Sequence, residues 1–290
     1  MDVSIIIINY NTKLLLAECI ASIYEQSHRI TFEVIVVDNA STDGSETFIC
    51  NKFPKVHWIN SGENSGFGRA NNLGASHAQG KYLFLLNSDT LLKNDAISFF
   101  FEYMELHAEK EHIGALGCWL TGCDSKPCLS YGQFPSPQSE IIYLWKKLVG
   151  IKLSSFSVLD VDYITGADLF VSHVLYNKLQ GFDPQYFMYY EETDLQYRMN
   201  KLGYKRRLLR SPEIVHLEGG SFSKKGLSVN RFLMSQKSYN YYVRKHFCGL
   251  KYLSFRISLI FIRLLLFVTT NWNMKDKLKA YWLVVKGTQA

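Results

Sequence analysis

The stretch Lys81-Tyr82-Leu83-Phe84-Leu85-Leu86-Asn87-Ser88-Asp89 decides the fold. Leu83 to Leu86 is an unbroken apolar run, the pattern of a strand buried on both faces. Such a strand belongs in the middle of a parallel sheet covered by helices, where ligands gather beyond the carboxyl ends of the strands. Asn87 and Asp89 stand two residues apart and so project to one side of an extended chain. Oxygen acceptors placed there suit a hard divalent cation, which in turn holds phosphate oxygens. The competing reading is local: Asp89 or Thr90 caps a helix that follows.

Strands and helices alternate on either side of this run. Ser4–Ile8 is apolar and ends at Asn9-Tyr10-Asn11, and Thr12 is placed to cap a helix with Leu16, Ile20 and Ile23 on one face. Glu33–Val37 is a second strand, ending at Asp38-Asn39; Asp43 and Glu46 beyond it have capping-box spacing. A shorter strand over Val56–Asn60 leads into a glycine-rich loop and a helix through Ala78. A further helix is expected from about Asp95 to Glu109, followed by Gly114–Gly117. Repeated β-α-β units predict an α/β fold with a parallel sheet and right-handed crossovers. In such a sheet Asn9, Tyr10, Asn11, Asp38, Asn87 and Asp89 all reach one edge, and that convergence favours a ligand site over helix capping. Gly62 to Gly68 lacks the G-x-G-x-x-G spacing, and the first strand–helix turn is not glycine-rich, which argues against a dinucleotide-binding dehydrogenase.

Hydrophobic residues at 47% and charged residues at 20% of a 290-residue chain are ordinary for a globular protein. Met1-Asp2-Val3-Ser4 leads straight into a strand without a basic segment, so a secretory signal is not expected. Cys118, Cys123 and Cys128 recur every five residues, which matches no common zinc pattern; the six cysteines read as free cytosolic thiols.

Charge divides the chain. Residues 231–290 carry eleven Lys or Arg and one acid, Asp276, a local +10; the whole chain has 32 basic and 26 acidic residues, so 21 basic and 25 acidic remain for 1–230. The expected organisation is a catalytic domain over 1–225 and a basic helical tail over 226–290. Leu250 to Asn273 is helical in pattern and apolar, interrupted by Arg256 and Arg263. No uncharged run reaches the length of a spanning helix. Lys245, Arg256 and Arg263, spaced 11 and 7 apart, fall on one helical face. A basic face opposite an apolar one predicts a helix lying in the interface of an anionic membrane, with Trp272, Tyr281 and Trp282 at headgroup depth. Packing on the catalytic domain or a homodimer contact is the alternative use of the tail. Nucleic acid is not expected as a partner, because no recognised binding module accompanies the charges.

Read together, several segments resemble the family-2 glycosyltransferases. They are the opening Asn9-Tyr10-Asn11; Asp38-Asn39-Ala40-Ser41-Thr42-Asp43-Gly44; Asn64-Ser65-Gly66-Phe67-Gly68 through Asn71-Asn72-Leu73-Gly74; and Asn87-Ser88-Asp89. Thr165-Gly166-Ala167, Gly181-Phe182-Asp183, Phe187 through Glu191-Glu192-Thr193-Asp194 to Arg198, and His216 with Gly219-Gly220-Ser221 complete the series from Ser4 to Ser221. The resemblance implies a GT-A fold, a Rossmann-like mixed and mainly parallel sheet flanked by helices, here followed by the membrane-associating helical segment. The nearest likeness is to the bacterial rhamnosyltransferase-like branch.

That resemblance implies inverting transfer of a sugar from a UDP- or dTDP-sugar, dTDP-rhamnose among them. The acceptor would be a glycan or a lipid-linked molecule in bacterial cell-surface polysaccharide synthesis, at the cytoplasmic face of the membrane. Asp89 becomes the main ligand of Mn2+ or Mg2+, His216 a further ligand, and Asn87 a neighbour on metal, ribose or phosphate. Asn87 departs from an Asp-x-Asp form, and its neutral amide donates less charge. Asp38 would accept from the imide N–H of uracil or thymine, which cytosine lacks. Asn9 and Tyr10 would line the base, while Asn11, Asn64, Gly66, Asn71 and Arg198 come with the donor-binding motifs. Glu191, Glu192 and Asp194 form the catalytic cluster, departing from Glu-Asp-x-Asp. Glu192 takes the general-base position one methylene longer than usual, with Glu191 the alternative base. A run of acids at a helix start also suits the helix dipole by itself. The rival reading is a catalytically silent relative that binds a nucleotide sugar or glycan within a membrane assembly, supported by the Glu192 departure. A nucleotidyltransferase would carry a basic glycine-rich triphosphate loop near the N-terminus, which this sequence lacks.

Overall fold

The computed structural model describes residues 1–136, 158–217 and 228–287. The chain divides into two compact units. The first is Met1–Gly132 with Phe156–Phe187 and Glu191–Ser221; the second is Gln133–Ser155 with Met188–Tyr190 and Phe222–Ala290. The expected boundary between residues 225 and 226 lies outside the described residues, as do Gly219, Gly220 and Ser221.

In the first unit the order begins β1 (Val3–Asn9), α1 (Lys13–Gln26), β2 (Phe32–Asp38), α2 (Ser45–Lys52), β3 (His57–Asn60), α3 (Phe67–His77), β4 (Tyr82–Asn87) and β5 (Thr90–Leu92). It continues with α4 (Ala96–Glu111), β6 (Ile113–Cys118), β7 (Tyr131–Gly132), β8 (Val158–Val161), β9 (Tyr163–Ile164), β10 (Asp168–Ser172), α5 (His173–Lys178), α6 (Glu191–Lys201), β11 (Lys205–Leu209) and β12 (Ile214–His216). One eight-stranded sheet runs β3-β2-β1-β4-β10-β6-β11-β8, and β5 with β12 and β7 with β9 form two small ribbons. Six of the eight strands are parallel; β10 and β8 run against them. This is the mixed, mainly parallel sheet of a GT-A fold.

The predicted strands form because their apolar runs are covered on both faces. Ile5, Ile7, Val34, Val36, Phe84 and Leu86 enter one core cluster with α1 and α4. Ile6, Ile35, Val37, Leu83 and Leu85 enter the other, with α3 and α6. The even and odd residues of β4 thus go to opposite layers, as period-two geometry requires. Asp89 starts no helix: β5 follows directly and pairs with β12. Two expected caps are made differently. Thr12 sits at the start of α1, but Asp43 Oδ2 accepts the Lys13 N–H at 3.0 Å. Asp43 Oδ1 accepts from Ser45, so no capping box with Glu46 forms.

The second unit is helical: α7 (Val229–His246), α8 (Gly249–Arg263), α9 (Leu266–Thr269) and α10 (Met274–Lys286). Its segment 188–190 is held on α7, where Ser238 Oγ donates to Met188 O at 2.8 Å and Tyr190 packs against Tyr239 and Tyr242. The expected basic face is not built. The helix breaks at Phe247-Cys248, so Lys245 shares no continuous helix with Arg256 and Arg263. Arg256 donates to the carbonyls of Val284 and Val285, and Arg263 donates to Gln236 Oε1 at 3.2 Å and lies over the Phe232 ring. Burying an aliphatic stem and giving the guanidinium to helix-end carbonyls suits arginine better than leaving it on an apolar helix.

Candidate active site

Parallel pairing brings the strand ends together in register. Asn9 stands opposite Asp38, and Ile8 opposite Asn87. The polar residues beyond those ends are tied to one another. Asn9 Nδ2 donates to Asp38 Oδ1 at 2.7 Å and to Ser41 Oγ at 3.0 Å, while the Ser41 N–H donates to Asp38 Oδ2 at 2.9 Å. Asp38 is thereby fixed with both oxygens engaged, each keeping a lone pair for a ligand. Asn11, at φ 56°, receives the Thr42 N–H on Oδ1 and gives its own N–H to Ser41 Oγ. The Thr12 hydroxyl bridges Asn9 Oδ1 at 2.8 Å and Ser88 Oγ at 2.9 Å, joining the first loop to the one bearing Asp89. Tyr10 is half-exposed beside them.

On that loop Asp89 is buried and its Oδ1 lies 3.2 Å from His216 Nε2. The β5–β12 pairing sets this, since His216 stands opposite Thr90 and the Leu217 N–H donates to Asp89 O. Asn87 turns Nδ2 toward the same imidazole nitrogen at 3.5 Å. One carboxylate and one imidazole at a single point fit a divalent ion that keeps waters and takes phosphate oxygens for its remaining positions. Among the described residues no group of three acidic, histidine or cysteine side chains is arranged to complete such a shell.

A third cluster comes from α3 and α6. Asn64 Oδ1 accepts the Gly66 N–H, and Asn39 Nδ2 donates to Gly66 O, which seats the glycine-rich loop on the end of β2. Gly66 has φ 86°, and a Cβ there would stand 2.2 Å from Phe187 O, so only glycine fits. Glu191 and Glu192 open α6; a Cβ on Gly68 would lie 3.5 Å from Glu191 Cβ, and one on Gly166 3.9 Å from Glu192 Cβ. Gln196 bonds both the N–H and C=O of Ile164, holding this turn of α6 against 164–166. Ala167 O in turn accepts the Asn87 N–H at 3.0 Å. The start of α6 and the end of β4 thus both border the segment 164–167.

Not every expected residue faces this edge. Asp194 is fully buried and pairs with Arg198 at 2.8 Å. Arg198 also donates to the carbonyls of Leu179 and Gly181, which staples α6 to the 179–181 turn. Asn71 is buried, with Nδ2 on the Phe67 carbonyl of its own helix. Reasoning from sequence also left out contributors. Ser41, Thr12 and Ser88 carry the cross-links, and their signal was small hydroxyl residues just past strand ends. On the strand–turn 166–168 nearby, Asp168 at the start of β10 is wholly buried, with Oδ2 accepting the Cys118 N–H at 2.6 Å and Oδ1 without a hydrogen-bond partner among the described residues. Burial pushes its pKa up to about 7, against the lowering effect of the Cys118 contacts and of His216.

The first unit thus combines a mainly parallel GT-A sheet with a carboxylate–imidazole pair beyond its central strand. Residues 4–118 match the family model for glycosyl transferase family 2. The chain is similar to rhamnosyltransferase WbbL of Escherichia coli K12, with 24% identity over 64% of this chain and 72% of that protein. At 38–39% identity the matches cover 36% of this chain and only 17% of the length of two rickettsial proteins described as glycosyltransferases. Among solved structures, Staphylococcus aureus TarS 1-349 in complex with UDP shares the fold at TM-score 0.61 and 15% identity, over 99% of this chain and 81% of that one. The Pyrobaculum calidifontis mannosyltransferase PcManGT, in complex with GDP-Man and Mn2+, does so at TM-score 0.57 and 17% identity, over 98% and 73%.

Proposed function

We propose that the first unit transfers a sugar, with inversion, from a UDP- or dTDP-sugar to a glycan or lipid-linked acceptor of a bacterial surface polysaccharide. The observation that supports this reading is that the segment 164–167 is bonded on one side to Asn87, two residues before Asp89, and on the other to Gln196 of the helix that Glu192 opens. Asp38, held by Asn9 and Ser41, offers an acceptor lone pair to a pyrimidine imide N–H. Asp89 and His216 would hold Mn2+ or Mg2+, which when bound offsets the charge growing on the leaving diphosphate. Glu192 takes the proton of the acceptor hydroxyl as that oxygen attacks the anomeric carbon from the face opposite the departing phosphate, and one displacement inverts the centre. Glu191, Asp194 and Arg198 support it: the last two pair with each other within α6, and Arg198 ties that helix to the 179–181 turn.

The likeness to a rhamnosyltransferase supports a deoxyhexose donor. The test is a thermal-shift panel with UDP-, dTDP-, GDP- and CDP-sugars, each with and without Mn2+. A ligand that binds only the native state raises apparent stability by RT ln(1 + [L]/Kd). The expected result is a metal-dependent rise with one uridine or thymidine sugar; a shift with only GDP- or CDP-sugars refutes the assignment of Asp38.

A further inference from the structure

The stretch Gly249–Thr269, which holds α8 and α9, is 21 residues long, and only 12% of its most apolar window is buried. Leu250, Leu253, Ile257, Phe261, Leu264 and Val268 are all exposed, Leu250 and Val268 at 85% and Phe261 at 66%. Their spacing of three and four residues puts them in one line along the helix. The reverse side is occupied: Phe255 and Leu259 are buried, and Arg256 and Arg263 bond Val284, Val285 and Gln236 within the second unit. The two arginines that the sequence offered as a membrane-facing basic surface are thus spent on holding the helix in place, and the outward line carries no charge between Lys251 and Lys275. Lys251, Lys275, Lys279 and Lys286 are exposed, and Lys286 lies over the ring of Trp282, itself 58% exposed.

We propose that this line is the seat of a lipid bilayer, with α8 lying along the surface and inserting its leucines, Ile257 and Phe261 into the acyl region. Apolar burial is the main attraction, and the lysines add a smaller one toward anionic headgroups. The proposal goes beyond the transfer reaction and does not depend on it. Two observations choose lipid over other occupants. A helix of 21 residues is about 32 Å long, and a stripe about 10 Å wide buries only about 600 Å² between two copies. That is half of what a stable dimer needs, about 1,200 Å². Uncharged apolar residues flanked by lysines and an exposed tryptophan match the layered chemistry of a bilayer surface. Spanning does not fit, because Arg256 and Arg263 hold one side of the helix on protein.

The test is flotation of the full chain with phosphatidylcholine vesicles and with vesicles containing one-third phosphatidylglycerol, at low salt and at 0.5 M NaCl. The expected result is binding to both, with the neutral vesicles retaining protein at high salt. Ile257→Asp with Phe261→Asp should lower partitioning tenfold or more while circular dichroism and the melting temperature of the vesicle-free protein stay unchanged. Lys275→Glu with Lys279→Glu should weaken only low-salt binding to the anionic vesicles. Ile257→Gln is the milder variant should the double change unfold the unit, with about a threefold loss expected. Binding confined to anionic vesicles and abolished by salt would overturn the proposal. So would a dimer in light scattering that the Ile257/Phe261 variant dissociates, or resistance to carbonate extraction, which marks a spanning helix.

Discussion

At the strand-end edge of the first unit, Asn9, Asp38, Ser41, Thr12 and Ser88 hold one another through hydrogen bonds of 2.7–3.0 Å. On α8 of the second unit, Leu250, Leu253, Ile257 and Phe261 stand exposed with no comparable partner chemistry. The polar edge is arranged before any ligand arrives, so little reorganisation is left for binding to supply. The apolar line is arranged too, by Arg256 and Arg263 behind it, but its own chemistry is complete only against something greasy. One region stores preorganised hydrogen bonding; the other stores unburied area.

Four substitutions break or sharpen that contrast. Glu192→Gln keeps shape and removes the base, and transfer should fall about 10²–10⁴-fold. Donor-induced thermal shift should survive; a variant that still turns over at the parent rate would remove Glu192 from the chemistry. Arg198→Met removes the guanidinium paired with the fully buried Asp194 and should cost on the order of 3–5 kcal/mol in urea unfolding. A loss below about 1 kcal/mol would show that the pair is not what fixes α6.

Asp168→Asn tests the buried carboxyl. Its folded pKa of about 7 exceeds the unfolded value of about 3.9. Between those values the folded state keeps a proton that the unfolded chain releases, so the group's contribution turns against folding as pH rises from about 4 to about 7, and stays level above. In chelator, the variant should melt a few degrees above the parent at pH 8 and match it near pH 4. An equal gap at both pH values would argue against titration. The smallest effect belongs to the other region: Leu253→Gln on the exposed line should change stability by no more than about 0.5 kcal/mol.

Much of the first unit could be read from residues alone. Ile5–Ile8, Val34–Val37 and Leu83–Leu86 are apolar on both faces, and the polar residue ending each run marks the ligand edge. Strand β10 could not be read in this way. Its insertion between β4 and β6, antiparallel to both, is a long-range pairing that leaves no periodic trace, and the complete burial of Asp168 follows from it. The Asp194–Arg198 pair was legible as an i,i+4 spacing but reads equally as a helix-surface pair; only burial shows that it staples a turn. On the tail, composition predicted an apolar, basic helix. Where the arginines point depends on carbonyls of α10, which no wheel drawn on α8 alone includes.

The Arg256 clamp also has a consequence for the order of folding. Its acceptor Val284 lies 28 positions later in the chain. Local helix winding closes no such loop, whereas bringing Arg256 to Val284 does, so α8 can wind before α10 docks on it. Until that docking, the helix carries a greasy line and a guanidinium that has not yet met its carbonyls. A bilayer met at that stage meets a different helix from the finished one, so the sequence of folding events becomes a determinant of where the second unit settles.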